Sequence, residues 1–135
     1  MIREKVLPML EAHGLDLMLN GHSHAYERSF LLDGFYSTST NLNKKVHFKS
    51  AQDGRKEGTG IYLKPSRGPA PHEGAVYVVA GSSGQTSGGK LNHPVSALST
   101  NILGSLVLDV NGNRLDATFI RENGTTPDTF TIIKQ

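Results

Sequence analysis

One stretch of the sequence decides the fold and points to a chemistry: Leu15-Asp16-Leu17-Met18-Leu19-Asn20-Gly21-His22-Ser23-His24-Ala25-Tyr26-Glu27. The run from Leu15 to Leu19 is short and apolar, which predicts a buried strand. Gly21 is expected to let the backbone turn at the end of that strand without a Cβ clash. His22 and His24 follow at once, so two imidazoles stand at the carboxyl end of a strand.

The spacing of these histidines predicts a metal site. Extended residues at i and i+2 point to the same side of a strand, about 6–7 Å apart. Their ring nitrogens can therefore converge on one metal, or each can bind one of two metals about 3.5–4 Å apart. Ligands also tend to bind at the carboxyl ends of strands in α/β sheets. The alternative is a pair of surface histidines in a polar loop.

Composition limits the class of protein. The chain has 135 residues, 36% hydrophobic and 19% charged, with 15 glycines, which favours a loop-rich, mostly β domain or part of one. The formal charge is +2 and the basic residues are scattered, so no nucleic-acid partner is expected. The sequence lacks cysteine, which excludes disulfides and thiolate metal sites. The apolar runs are too short to span a membrane, so no membrane partner is expected. Arg3-Glu4-Lys5 does not resemble a signal segment.

The N-terminal residues predict a helix. Ile2, Val6 and Leu10 repeat at i, i+4 and i+8, and Pro8 should kink this helix or begin a new turn. Gly14 is suited to the position after its end. A helix, a glycine and a buried strand in succession are typical of a parallel α/β layer.

The C-terminal half predicts a β-sheet. Residues 75–80 form the clearest strand, apolar on both faces and so expected to be buried. Residues 103–110 alternate, Asn111-Gly112 predicts a type I′ hairpin, and a return strand and a third strand near Phe130 complete a meander. Between the halves, residues 37–74 are predicted to be a long excursion with one or two weak strands, at Val46-His47-Phe48 and Ile61-Tyr62-Leu63.

Four segments together resemble one protein family. They are residues 19–29 with the G-H-x-H-x-Y-E-R pattern, the helix at 3–11 ahead of it, the strand and glycine loop at 74–84, and the terminal meander. This combination resembles the C-terminal part of a calcineurin-like metallophosphoesterase, and its histidine block is similar to the purple acid phosphatase branch. The resemblance implies an α+β fold, the C-terminal half of a β-sandwich flanked by helices, here mostly β with one N-terminal helix. Residues 1–135 are then a single partial domain.

The same resemblance implies a phosphate ester hydrolase with two metal ions. In that family the histidine matching His22 binds one metal and the histidine matching His24 binds the other, while a carboxylate bridges the metals and a shared water is the nucleophile. Imidazole suits Fe, Zn and Mn alike, so the metals, divalent or trivalent, are not identified. Members of the family are often exported, and the location of this chain is not predicted.

The family's other metal ligands do not match this chain. They belong to Asp-x-His, Gly-Asp-x-x-Asp and Gly-Asn-His blocks and a further histidine, all ahead of the position of Gly21. His13 is expected to be a surface residue, and Asn92-His93 lies on the wrong side to replace the Asn-His block. The chain alone is therefore expected to be inactive. The partner is expected to be the missing N-terminal half, or a second copy bound through apolar faces at 15–19 and 76–79. The alternative is a non-catalytic binding or scaffolding β-domain with a weak metal site.

Other residues near the histidines are candidates for orienting the metal ligands or contacting substrate: Asn20, Gly21, Tyr26, Glu27, Arg28, His72, Gly81 and Ser82. Tyr26 packing in the core and Glu27 pairing with Arg28 or a neighbour are equally open. His72 is expected to be a solvated loop histidine more than a substrate contact. The glycine loop 81–89 either cradles phosphate through backbone N–H groups or is a mobile loop. Asn123-Gly124-Thr125 is read as a turn, although it is also a glycosylation sequon.

Overall fold

The computed structural model describes residues 2–87 and 90–135. The N-terminal helix is divided into α1 (Ile2–Lys5) and α2 (Leu7–Ala12), and a short helix α3 covers Lys44–His47. The described residues also form eight strands: β1 (Leu17–Asn20), β2 (Tyr26–Ser29), β3 (Tyr62–Lys64), β4 (Val76–Ala80), β5 (Ser96–Thr100), β6 (Gly104–Asn111), β7 (Arg114–Arg121) and β8 (Asp128–Lys134).

These strands form two mixed sheets. The first sheet has the order β1-β4-β2-β5, with β1 parallel to β4 and β2 antiparallel to both β4 and β5. The second sheet has the order β3-β8-β7-β6, with β3 parallel to β8 and the meander antiparallel. The predicted α+β class, mostly β with one N-terminal helix, is confirmed.

The hydrophobic core lies between the two sheets. Val76 and Val78 of β4 are completely buried against a cluster that includes Phe119 and Phe130 of the second sheet. The ring of Tyr26 stacks on Phe119 with centroids 4.1 Å apart. Since side chains alternate along a strand, Tyr77 and the residues that share its side of β4 face the opposite way and are only half-buried. The face of β4 that carries Val76 and Val78 is therefore covered by the second sheet, and its opposite face is more exposed.

Two predictions about the apolar strands are wrong. Leu17 and Met18 are half-buried and Leu19 is 46% exposed, so β1 is not the buried strand that the apolar run predicts. The reason is that β1 has a neighbour, β4, on one side only. An exposed apolar face at residues 76–79 is wrong for Val76 and Val78, which face the second sheet.

The N-terminal helix breaks where the sequence predicts. Val6 separates the two helical segments and Pro8 lies in the first turn of α2, where its missing N–H is not needed. Leu7 and Glu11 of α2 are buried against the first sheet and its loops. Among the described residues, the structure has no helix long and apolar enough to cross a membrane.

The long excursion contains one of the two predicted weak strands. Tyr62 and Leu63 lie in β3, but Val46 and His47 lie in α3. Asn43 caps that helix, because its side chain accepts a hydrogen bond from the Lys45 N–H. A local cap thus overrides the strand preference of a short apolar island.

The hairpin between β6 and β7 has a different turn from the one predicted. Asn111 pairs with Arg114, so Gly112 and Asn113 form the two-residue loop. Gly112 has φ = 60°, and the described non-glycine residues with positive φ are His22 and His72. A positive φ at the first central residue alone is the type II′ pattern, whereas type I′ needs it at both.

Candidate metal centre

The two loops of the predicted site leave the first sheet at the same end of its strands. β1 and β4 run parallel, with Asn20 paired to Val79. The histidine loop, residues 21–25, follows β1, and the glycine loop that begins at Gly81 follows β4. Parallel neighbours that end at the same level bring their following loops together, which is the usual place for a ligand in an α/β sheet.

The histidine loop has to cross the end of β4. It joins β1 to β2, and these strands flank β4 on its two sides, about 9–10 Å apart. Its short path runs over the backbone of Gly81. A Cβ built on Gly81 would overlap the Ser23 carbonyl oxygen and would lie 2.9 Å from the Ser23 carbonyl carbon. Position 81 must therefore lack a side chain for the histidine loop to close over it.

Backbone hydrogen bonds fasten the two loops together. The Gly81 N–H donates to the Ala25 carbonyl at 3.1 Å, and the Ser87 N–H donates to the His24 carbonyl at 3.1 Å. The glycine loop is fixed in turn by the Gly104 N–H, which donates to the Ser82 carbonyl at 3.2 Å. Gly81 and Ser87 thus hold the histidine loop at Ala25 and His24. Gly88 and Gly89, which complete the predicted loop 81–89, lie outside the described residues.

The strained residue in the histidine loop is His22 and not Gly21. His22 has φ = 72°, a left-handed conformation that costs a non-glycine residue about 1–2 kcal/mol. Gly21 has no positive φ, and a Cβ built on it meets nothing within 4 Å. The expectation that Gly21 permits the turn is therefore wrong. The same-side argument for His22 and His24 also assumed extended backbone, and it does not apply to this bent loop.

A buried ion pair anchors the strand that follows the loop. Arg28 and Asp128 are both fully buried, and Arg28 donates to both Asp128 carboxylate oxygens, at 2.7 and 3.0 Å. Tyr26 donates its hydroxyl to the same carboxylate at 2.6 Å. Burial, reinforced by the Asp128 charge, raises the pKa of Tyr26 far above its ordinary value. Burial alone would lower the pKa of Arg28, but its hydrogen bond to Asp128 and the surrounding charges raise it overall.

Tyr26 and Arg28 therefore contact the core between the sheets. Arg28 also donates to the Tyr62 hydroxyl at 2.8 Å and lies over the Phe130 ring, 5.0 Å from its centroid. For Tyr26, the contacts match packing in the core rather than orientation of the histidines. The ion-pair partner of Arg28 is Asp128 and not Glu27. Asp128 itself was not predicted as part of this region. A single acidic residue at the head of an apolar strand, 100 positions away, gives no recognisable local signal.

Three other candidate residues lie in two places. Asn20 and Glu27 line an open groove of about 740 Å³ on the outer face of the first sheet, together with Met18 and Val79. Ser82 is completely buried beneath the glycine loop, and its hydroxyl has no hydrogen-bond partner among the described residues. A side chain without exposed surface does not meet a substrate in this chain.

The remaining histidines lie away from the loop. His72 precedes β4, so it lies at the end of that strand opposite to His22 and His24, and a substrate contact from there does not fit. Its side chain is 51% exposed, as expected of a solvated loop histidine. His13 is exposed at the end of α2, as predicted. His93 lines the outer groove, where burial and the Arg3 charge lower its pKa.

The histidine loop offers two metal donors. Among the described residues, the one group of three His, Asp or Glu side chains with ligand atoms within 4.8 Å of one another is Glu11, Asp33 and His72. Within that part of the chain, His22 and His24 do not belong to a group of this kind. Two imidazoles fit one part of a metal centre, but they do not satisfy the four or more ligands that a bound transition metal takes. A complete centre needs ligands from outside these residues.

Comparison with known proteins identifies the fold. The structure matches a purple acid phosphatase isolated from yellow lupin (Lupinus luteus) seeds with a TM-score of 0.61. The chain has the fold of part of a purple acid phosphatase. The match covers 89% of this chain but 18% of the lupin protein, at 19% sequence identity. No family model matches the sequence. No curated protein matches it either.

Proposed function

We propose that this chain is a segment of a metal-dependent phosphoesterase and supplies the G-H-x-H ligands, His22 and His24, of a two-metal site. The observation that carries the proposal is the histidine loop itself. It lies at the carboxyl end of parallel strands, it holds His22 in a strained conformation, and it is fastened by a second loop, all in a fold shared with part of a purple acid phosphatase. Strain retained by a surrounding structure is a frequent property of functional sites.

The intact site would hold two metal ions, each of them Fe, Zn or Mn, with a phosphate ester as substrate. Bound metals would lower the pKa of a shared water and neutralise charge on the phosphoryl group. The contribution of this chain is narrower. His22 and His24 would each present an imidazole, and the contacts of Gly81 and Ser87 would keep the loop that carries them in place.

The open surfaces of the first sheet support completion of the site by another segment. The free edge of β1 adjoins the histidine loop, and the outer groove reaches Asn20. Parallel strands are usually covered on both faces. The segment that covers them is proposed to be the missing N-terminal half of the catalytic domain, or, failing that, a second copy of this chain.

A second candidate is a non-catalytic binding or scaffolding domain that retains a weak metal site. The observation that favours it is the donor count, since within residues 2–87 and 90–135 His22 and His24 belong to no group of three His, Asp or Glu side chains with mutually close ligand atoms. On either proposal, the isolated chain should not hydrolyse p-nitrophenyl phosphate with added Mn²⁺, Zn²⁺ or Fe³⁺. Turnover near the rate of an intact relative would contradict both.

Metal titration tests the loop directly. Isothermal titration with Zn²⁺ should show binding that weakens when His22 and His24 are both replaced by Ala. His13→Ala is the matched control, because His13 is an exposed histidine outside the loop. The proposal of a metal site at the histidine loop is wrong if Zn²⁺ affinity is unchanged in the double variant, or if it falls equally in His13→Ala. Sequencing the DNA ahead of the codon for Met1 then separates the two candidates, because an in-frame extension with Asp-x-His and Gly-Asn-His blocks belongs to an enzyme.

A further inference from the structure

A second group of potential metal ligands lies at the other end of the first sheet. Glu11 belongs to α2, Asp33 follows β2, and His72 precedes β4. Their ligand atoms all lie within 4.8 Å of one another. Ligands bound to one ion at about 2.1 Å stand about 3–4 Å apart, so this group needs only a small contraction to share an ion.

The three side chains of this group differ in how exposed they are to solvent. Glu11 is 3% exposed, whereas the Asp33 side chain is 18% exposed and the His72 side chain is 51% exposed. An ion can therefore approach past the imidazole and meet a buried carboxylate. His72 Nδ1 and Asp33 Oδ1 share a hydrogen bond of 2.9 Å. The two atoms therefore already lie about as close as neighbouring ligands on one metal, which would replace the shared proton.

Glu11 retains capacity for one more contact. A carboxylate accepts about four hydrogen bonds. The Tyr36 hydroxyl donates to Oε2 at 2.5 Å, the Gly34 N–H donates to Oε2 at 2.9 Å, and the Tyr77 hydroxyl donates to Oε1. These three neutral donors leave a position on Oε1.

The charge of the group is also unbalanced. Within residues 2–87 and 90–135, no Lys or Arg forms an ion pair with Glu11 or Asp33, and the partner of Asp33 is His72. Burial, together with the hydrogen bond and charge of Glu11, raises the pKa of Tyr36 and of Tyr77. A buried carboxylate next to a second carboxylate is costly without a compensating cation.

We propose that Glu11, Asp33 and His72 bind one divalent cation at the end of the first sheet opposite to the histidine loop. Two carboxylates and one imidazole form a mixed oxygen and nitrogen set that suits Mn²⁺ and Zn²⁺. The bound ion would join α2 to the loop that follows β2 and the loop that precedes β4. The inference does not depend on the phosphoesterase proposal, because it uses none of its residues.

The test separates this site from the histidine loop. In a full-length chain carrying His22→Ala and His24→Ala, titration with Mn²⁺ should show about one equivalent bound. Adding Asp33→Asn or His72→Ala should weaken that binding at least about tenfold, since each removes one of three ligands. Glu73→Gln is the matched control, because Glu73 adjoins His72 but bonds to Ser66.

A second measurement locates the ion without any substitution in the group. Paramagnetic Mn²⁺ should broaden the backbone amide resonances of Gly34 and His72 in the unsubstituted chain, in addition to any broadening at residues 21–25. Broadening confined to 21–25, or affinity unchanged by Asp33→Asn and His72→Ala, overturns the proposal.

Discussion

The close contact between Gly81 and the histidine loop gives a sharp prediction for Gly81→Ala. The added methyl group would overlap the Ser23 carbonyl oxygen and lie 2.9 Å from its carbonyl carbon. Ordinary contacts of a Cβ begin at 3.4 Å, so the two backbones must separate by 0.5 Å at the carbon and by more at the oxygen. Both neighbours are backbone, so a side-chain rotation cannot relieve the overlap.

The expected loss in the free energy of unfolding has two contributions. Overpacking of this kind costs about 1–3 kcal/mol. Loss of the hydrogen bond from the Gly81 N–H to the Ala25 carbonyl adds about 1 kcal/mol. The free energy of unfolding should fall by about 2–4 kcal/mol in total, which for a chain of this length lowers the Tm by about 8–16 °C. Because the shift moves the loop that carries His22 and His24, Zn²⁺ affinity should fall about 10- to 100-fold.

Gly84→Ala is the control for this substitution. A Cβ on Gly84 meets nothing within 4 Å, and Gly84 has no positive φ. Differential scanning calorimetry and isothermal titration with Zn²⁺ should therefore leave Gly84→Ala within experimental error of the parent chain. If Gly81→Ala matches Gly84→Ala in both Tm and Zn²⁺ affinity, the histidine loop does not close over Gly81 and the reasoning is wrong.

Three further predictions concern strain, the buried ion pair and the tyrosines. In urea unfolding, His22→Gly should be more stable than His22→Ala by about 1 kcal/mol, because glycine relieves the left-handed strain, whereas at His24 the order should be reversed. Asp128→Asn should lose about 3–5 kcal/mol, because it leaves the buried Arg28 charge unpaired, while Glu122→Gln in an exposed pair should show no measurable loss. Burial raises the pKa of Tyr26, Tyr62 and Tyr77, so above pH ~10 the unfolded state loses protons first and the free energy of unfolding falls by about 1.4 kcal/mol per pH unit for each of these tyrosines. As the pH is raised, tyrosinate absorbance should then increase in one step, together with the loss of the circular dichroism of the folded chain. Gradual ionisation of the tyrosines at an ordinary pKa, with the circular dichroism unchanged, would contradict this.

Local periodicity accounts for the parts of the fold that the sequence predicts. The strand at 76–80, the meander and the helix interrupted near Pro8 each have a pattern visible within about ten residues. β5 was not predicted, because Ser96-Ala97-Leu98-Ser99-Thr100 is mostly polar or small and lies at a sheet edge. At residues 46–47 a strand was predicted but a helix is present, because the Asn43 side chain caps α3.

Strand order limits what the sequence reveals about the site. His22 and His24 are predicted as metal ligands from their spacing and from the apolar run ahead of them, both of which are local patterns. The need for glycine at position 81 arises only because β4 lies between β1 and β2, which no local pattern predicts. The cluster of Glu11, Asp33 and His72 likewise joins residues up to 61 positions apart, brought together by the same sheet.

The pairing of Arg28 with Asp128 has a consequence for biosynthesis. The two residues are 100 positions apart, and the bond fixes the strand immediately after the histidine loop. On a ribosome, the loop emerges long before its anchor, and such non-local contacts form slowly. The guanidinium at position 28 must stay hydrated until β8 is translated and docks. If the histidine loop binds metal as proposed, its capture of a metal is therefore expected to follow, and not to precede, closure of the sandwich.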